Sequence, residues 1–490
     1  MRNSATVVRR RAPAQVWASL VLCALAALCT GCTSVGGGGD APDLSQLVTF
    51  LEGNQGSASQ TAAQRTAARS SQPSSELLTD DDLYQVYGRV LQNYVDPVDP
   101  AVLVQGAVRG FDAGAAAEGI LPVASDLVAV ASAGQSRDPD AVWAPFAAAY
   151  KKFMTKVADR QDVGQVGQAT VRGMLQALND PYSLYLDSRA VQQTQGSGFA
   201  GIGIVLARLD PANPPVVREV SVNGPAARGG LRVGDAILAV NGRPTAGDPV
   251  SEIGFDIRGI PDTDVVLTVQ SRGAAGSRDV TLTRAPVERP SVESRRQNDY
   301  EYLRVMTLDS DVAQTVREAL VESNRRGDKG WIIDLRGNGG NDLQAVGEIG
   351  SMFLGDGMIA LDVNRSGQVG VLRGSGTALS PRPPVVVLTD RDTASGAELL
   401  TAALHEANLA TVIGEKSAGI VGRGVLIPLP DGSQVRLAAE KLITPAGAPI
   451  NKVGVSPDEQ VSSTVDDWIA GRDPQLERAI GRLNELNNRG

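Results

Sequence analysis

Histidine is almost missing from this 490-residue chain: His405 is the only one. Cysteine is confined to Cys23, Cys29 and Cys32, so nothing after residue 32 carries a thiol. Past that point, zinc sites built from Cys and His, structural disulfides and cysteine nucleophiles are all excluded. A Ser-His-Asp triad would have to use His405. Aromatic residues make up only 4%. What remains, 42% hydrophobic and 21% charged, is the balance of a globular protein, and the length allows two to four domains.

The three cysteines belong to the N-terminus. Arg9, Arg10 and Arg11 precede an apolar run over 16–29 that ends in Thr30-Gly31-Cys32. A basic start, about a dozen apolar residues and small residues before a cut form a secretory signal, and the run is short for a membrane span. Small residues directly before Cys32 also resemble a bacterial lipobox. The expectation is a signal peptide over 1–31 and a lipidated Cys32 on the extracytoplasmic face of the bacterial cell membrane; plain secretion is the alternative. Residues 1–31 hold four arginines and no acid, so their loss moves the net charge from −9 to −13. That charge argues against nucleic acid as a partner.

Residues 32–76 open with Gly36 to Gly39 and continue as a Gln/Ser/Ala/Thr-rich stretch too poor in apolar residues to fold alone. A flexible tether of this length has a root-mean-square reach of about 35–40 Å. Residues 77–191 read as helical, with Asp80 to Asp82 capping a first helix and others expected near 100–108, 142–157 and 166–178. Two stretches, Val104-Gln-Gly-Ala-Val-Arg-Gly110 and Val166-Gly-Gln-Ala-Thr-Val-Arg-Gly173, look like versions of one helix. Residues 110–164 carry no identifiable chemistry. Over 192–288 the pattern turns to short strands, with Asn241-Gly242 marking a tight hairpin. Over 289–490 strands and helices alternate, with strands expected at 302–306, 331–335, 385–388 and 412–413 and helices at 312–324, 343–353 and 394–407. A hairpin turning at Pro430-Asp431-Gly432 and a helix near 475–486 close the chain. The fold class is mixed α/β (α+β) and multidomain: a helical N-terminal region, a β-rich module and a mixed sheet covered by helices.

Several segments carry a resemblance. They are Asn179-Asp-Pro-Tyr-Ser-Leu-Tyr-Leu186, Gly224-Pro-Ala-Ala-Arg-Gly-Gly-Leu-Arg-Val-Gly-Asp235, Asp334-Leu-Arg-Gly-Asn-Gly-Gly340, Asp392-Thr-Ala-Ser-Gly-Ala-Glu398, Thr444-Pro-Ala-Gly447 and Pro457-Asp458. In this order they resemble the carboxyl-terminal processing peptidases, or tail-specific proteases, over about residues 77–485, and the strand-rich module resembles a PDZ domain. The resemblance implies a serine endopeptidase that needs no cofactor or metal and acts on protein or peptide C-termini. It implies Ser395 as the nucleophile, the Gly396 and Gly340 N–H groups as oxyanion donors, and Gly201-Ile202-Gly203-Ile204 as the loop that receives a terminal carboxylate. Read without it, Ser395 is equally a helix N-cap, with Glu398 closing a capping box.

The sequence departs from that family at the base. A serine hydroxyl needs a neighbour to take its proton, and the family uses a lysine about 25 residues later. Aligned from Gly414-Glu415 to Ile427-Pro428-Leu429, that position is Ile420, Gly424 replaces a glutamine, and Asn341 replaces the second of two paired glycines. His405 lies ten residues along one helix from Ser395, about 15 Å away. Arg423 stays protonated. Lys416 is four residues early and serves only if the loop folds differently, and neither Lys441 nor Lys452 has a spacing argument. Two expectations follow: an endopeptidase with a displaced base such as Lys416, or a catalytically inactive peptide-binding scaffold.

Overall fold

The protein is described by a computed structural model covering residues 77–488, apart from 121–136, 158, 161–162, 196–199, 209–212, 248–249, 288–289, 310 and 341. The expected signal, Cys32, the tether and Asn341 therefore lie outside the described residues.

Among the described residues the first elements are the helices α1 (Asp80–Asn93), α2 (Pro100–Ala117), α3 (Pro139–Lys156) and α4 (Gly164–Gln176). Thr79 and Asp82 close a capping box on α1, and Asp99 and Asp138 cap α2 and α3, each of which starts on a proline. The two similar sequence stretches become the packed faces of α2 and α4. Glycines let these backbones touch: a Cβ on Gly110 would lie 2.1 Å from the Ala169 carbonyl oxygen, and one on Gly173 2.2 Å from that of Gly106. A strand β1 (Leu184–Leu186) and a short helix α5 (Ser188–Gln195) follow.

The second module is a sheet of β2 (Ile204–Ala207), β3 (Val216–Val220), β4 (Ala236–Val240), β6 (Asp264–Gln270) and β7 (Arg278–Thr283), ordered 2-3-4-6-7, with β5 (Arg243–Pro244) hairpinned onto β4. Asn241 and Gly242 both take positive φ in that hairpin, as a two-residue type I′ turn demands. Helices α6 (Pro225–Arg228) and α7 (Val250–Ile257) complete it, and Ile253 and Ile257 of α7 join its core.

The third module is built on β8 (Val292–Gln297), β9 (Tyr300–Val305), β10 (Trp331–Asp334), β13 (Val385–Thr389), β14 (Ala410–Gly414) and β17 (Glu459–Gln460). Their order is 17-14-13-10-9-8, parallel except for β8. Unbroken apolar runs make the central strands because both faces are covered. Trp331, Ile333, Val385 and Val387 face α8 (Val312–Arg326), α9 (Leu343–Leu354) and α10 (Gly396–Glu406), while Ile332, Val386 and Leu388 face α12 (Pro474–Asn487). A separate sheet, order 1-16-11-12, joins β1 to β16 (Gln434–Ile443), β11 (Met358–Asn364) and β12 (Val369–Arg373), with β15 (Arg423–Pro428) on the far edge of β16. Val435 and Leu437 of β16 enter the core of the N-terminal helices. A short helix, α11 (Val465–Ile469), precedes α12.

The glycine contacts between α2 and α4 set a stability test. Gly110→Ala should cost about 1–3 kcal/mol through overpacking. Gly88→Ala, on the open side of α1 where a Cβ meets nothing within 4 Å, should be neutral or stabilising by up to about 1 kcal/mol. Urea unfolding of the two variants measures the difference.

Candidate active site

Three neighbouring parallel strands, β10, β13 and β14, end on the same side of their sheet, and the loops leaving them build the site. Binding at the carboxyl ends of parallel strands is the general rule for such sheets. From β13 the chain runs through Asp390 to Ser395, which caps α10 with φ 54° and ψ −122°. A positive φ costs a serine about 1–3 kcal/mol, and such strain gathers where a side chain must be presented sharply. Ser395 is half-buried. The next N–H, that of Gly396, is the first of the helix and has no acceptor among the described residues, so it remains available to an anion.

The strain is held by Glu398. Its fully buried carboxylate accepts from the Ser395 N–H (3.0 Å), the Ser417 hydroxyl, the Gly419 N–H (2.7 Å) and the Ile420 N–H (3.0 Å). The Ser395 N–H also reaches the Ile420 carbonyl at 3.1 Å. One carboxylate thus ties the serine turn to the loop leaving β14. Burial pushes its pKa up, and these four donors pull it partly back.

From β10 comes the second wall. Asn338, fully buried, donates to the Val305 carbonyl (2.8 Å), and its own carbonyl accepts from the Ala394 N–H (2.8 Å). Gly340 has φ 53° and lies so close to α10 that a Cβ there would be 2.4 Å from the Gly396 nitrogen. Its N–H, expected to aim at an oxyanion, donates instead to the Asn338 side-chain oxygen at 2.8 Å. The expectation for Gly340 is corrected accordingly: here it supplies close approach, and Gly396 supplies the open N–H.

Behind this wall Arg336 is buried among the Asp334 carboxylate, the Asp473 carboxylate (2.8 Å) and the Gln475 side chain (2.8 Å). Tyr302 also donates to Asp334 at 2.6 Å, and these positive and donor groups hold that carboxyl far below the usual range despite burial. Asp390 receives the Gly337 N–H (2.9 Å) on one oxygen and Arg218 of β3 (2.9 Å) on the other, so the strand-rich module touches the loop that carries the serine. Burial, and then the neighbouring Asp390, push Asp392 up to about 7.

Among the described residues no candidate base is hydrogen-bonded to Ser395. Ile420, where the resemblance puts the base, meets the serine through its backbone, its carbonyl accepting the Ser395 N–H, and its side chain is aliphatic. Lys416 is exposed, while its neighbour Ser417 turns inward to Glu398. His405 pairs with Asp458 at 2.8 Å. Arg423 pairs with Asp362 at 2.7 Å, and Lys441 with Asp96. Lys452 sits beside the loop, donating its backbone N–H to the Gly419 carbonyl at 2.7 Å, with its Nζ 3.4 Å from the Leu178 carbonyl. The described residues hold no cluster of His, Cys, Asp and Glu suited to a metal.

In the strand-rich module the Gly201 N–H is taken by the Ala285 carbonyl at 3.0 Å, so it does not face a ligand. The N–H groups of Ile202 and Gly203 have no acceptor among the described residues, and their carbonyls are held by Ala226 (2.8 Å) and Ser221 (2.8 Å). Ile204 begins β2, whose outer edge is unpaired among the described residues.

Residues 299–461 match the model of peptidase family S41, and residues 216–271 match a PDZ domain. The chain carries a peptidase S41 domain and a PDZ domain. Among its relatives are two Bacillus subtilis carboxy-terminal processing proteases. CtpA is 29% identical over 326 residues, 65% of this chain and 68% of the relative. CtpB is 30% identical over 318 residues, 63% and 65% of the two chains. A solved structure, the photosystem II D1 C-terminal processing protease, is 25% identical with a TM-score of 0.53, covering 78% of this chain and 93% of that one. What sequence reasoning missed is the fourfold role of Glu398, the Asn338–Gly340 bond and the Arg218–Asp390 pair; only the capping-box spacing of Ser395 and Glu398 signalled the first.

Glu398→Gln tests the carboxylate that binds the loops. An amide cannot accept from all four donors, so the variant should lose about 1–3 kcal/mol at neutral pH and exchange the Ser395, Gly419 and Ile420 amides faster. A raised native pKa gives stability that is present at low pH and lost as pH rises through the native value. Wild type should therefore gain stability over Glu398→Gln as pH falls, and the gap measured by urea unfolding should widen toward low pH; a gap that shrinks there overturns the raised pKa.

Proposed function

We propose that this protein is an exported, lipid-anchored tail-processing serine endopeptidase whose PDZ domain takes the carboxyl terminus of a polypeptide and whose Ser395 attacks it. The observation that carries this reading is the strained Ser395 turn beside the open Gly396 N–H, which pairs a presented hydroxyl with an anion donor. In the reaction the Ser395 hydroxyl gives its proton to water as its oxygen bonds to the scissile carbonyl carbon, and the oxyanion meets the Gly396 N–H. The amine then leaves with a proton, and water releases the acyl group. The open Ile202 and Gly203 N–H groups and the free edge of β2 support capture of a terminal carboxylate and of an extended tail. Names of the relatives, carboxy-terminal processing proteases, point the same way.

Ile420 favours a second reading. With an aliphatic side chain at the base position, the serine proton has only water to go to, and the protein then binds tails without useful turnover. One experiment separates the two. Wild-type protein, Ser395→Ala and Ile420→Lys are given an unfolded substrate ending in an apolar tail. The expected result is slow cleavage by wild type, none by Ser395→Ala, and about 10²–10⁴-fold faster cleavage by Ile420→Lys, the usual contribution of a general base. No cleavage and no labelling by a serine-directed acylating probe in wild type, with tail binding intact, establishes the scaffold reading.

The anchor is tested separately. Cys32→Ser should move the protein from the membrane fraction to the soluble extracytoplasmic fraction; an unchanged membrane fraction overturns lipidation at Cys32.

A further inference from the structure

The edge of β15 is built unlike a protected edge. Natural edges are blunted by lysine, by proline within the strand, or by a covering element. This one is paired only on its β16 side among the described residues; its proline, Pro428, is terminal, and its one charge, Arg423, is spent on Asp362 and Glu440. Two adjacent apolar side chains stand open on it, Val425 at 39% and Leu426 at 59% exposure. Val425 pairs with Leu437 and Leu426 with Arg436, so the two side chains lie on opposite faces of the strand. A further strand laid along this edge would meet both.

The position of the edge names its occupant. β15 begins three residues, about 10 Å of extended chain, after Ile420, whose carbonyl accepts the Ser395 N–H. Gly422 and Gly424 are packed on the Tyr182 ring, where a Cβ would come within 3.0 Å and 2.8 Å, so the start of the strand is fixed relative to the site. The other strand with exposed valines, β12, lies at the opposite end of the sheet, beyond β11 and β16, with no such continuity.

We propose that the outer edge of β15 is a second docking strand for the captured polypeptide: an extended, apolar segment upstream of the tail pairs with residues 423–428 and so passes across Ser395. The proposal rests on the reading of the PDZ domain as the holder of the tail. Main-chain hydrogen bonds would supply affinity without regard to sequence, and Val425 and Leu426 would favour apolar residues beside them.

The test uses the full chain carrying Ser395→Ala and two fluorescent peptides with the same apolar C-terminus, one of five residues and one of about 20, which spans about 65 Å when extended. The longer peptide is expected to bind about 3–10-fold more tightly, the worth of a few apolar cross-strand pairs. Leu426→Lys, or N-methylation of the upstream segment, should erase that advantage and leave the short peptide's Kd unchanged. Equal affinities of the two peptides, or an advantage that survives both changes, overturns the docking strand while leaving the PDZ reading standing. Failure of both peptides to bind overturns the two together.

Discussion

The site depends on a buried carboxylate that has more donors than a helix cap needs. Glu398 lies one turn into α10, where a capping box explains its bond to the Ser395 N–H. It also takes three donors from residues 417–420, so the loop leaving β14 cannot move without breaking bonds to the helix that presents the serine. Burying a carboxylate without partners costs several kcal/mol, and the four donors are what makes this burial tolerable. The same bonds hold Ser395 at a φ that serine alone would avoid.

Around that knot the other constraints are steric and electrostatic. Gly340 is pressed against the start of α10, and any side chain there would collide with the Gly396 nitrogen. Its loop is fixed from behind by Arg336, which the carboxylates of Asp334 and Asp473 neutralise, so the first turn of α12 becomes part of the wall of the site. From the front, Asp390 joins the Gly337 N–H to Arg218 in the PDZ domain, and Arg304 pairs with Glu219 on the next residue of the same strand. The loop that carries the serine is therefore in contact with both the sheet behind it and the PDZ domain beside it.

How much of this could be read beforehand follows from the range of each interaction. The Val385–Thr389 strand was legible because a two-sided sheet demands an unbroken apolar run, and the Asn241-Gly242 turn because its backbone demands those residues. The place of Ile420 came from the resemblance, by aligning its loop with the family's lysine loop, and in the structure its carbonyl accepts the Ser395 N–H. Strands β11 and β12 were not foreseen, since β11 is held to the sheet by β16 some 80 residues later, β12 pairs only with β11 among the described residues, and their outer faces are partly exposed. The similar stretches in α2 and α4 suggested a repeat, whereas their glycines are spaced for each other's backbones. The Gly340 N–H was misjudged because the Asn338 side chain, two residues away, competes for it, and no pattern of residue types reports which way an amide will turn.

The base position exposes a separation between fold and chemistry. Residue 420 is held entirely by its backbone: its N–H goes to Glu398 and its carbonyl receives Ser395. No bond that shapes the site passes through its side chain, so the loop can keep its path whichever residue stands there. A lysine at this half-buried place would have to be desolvated, and only the neutral form would serve as a base. Isoleucine carries no such cost and adds apolar contact. The path of this loop thus asks nothing of the side chain at 420, so the serine turn and its glycine neighbours keep their geometry around an isoleucine as they would around a lysine.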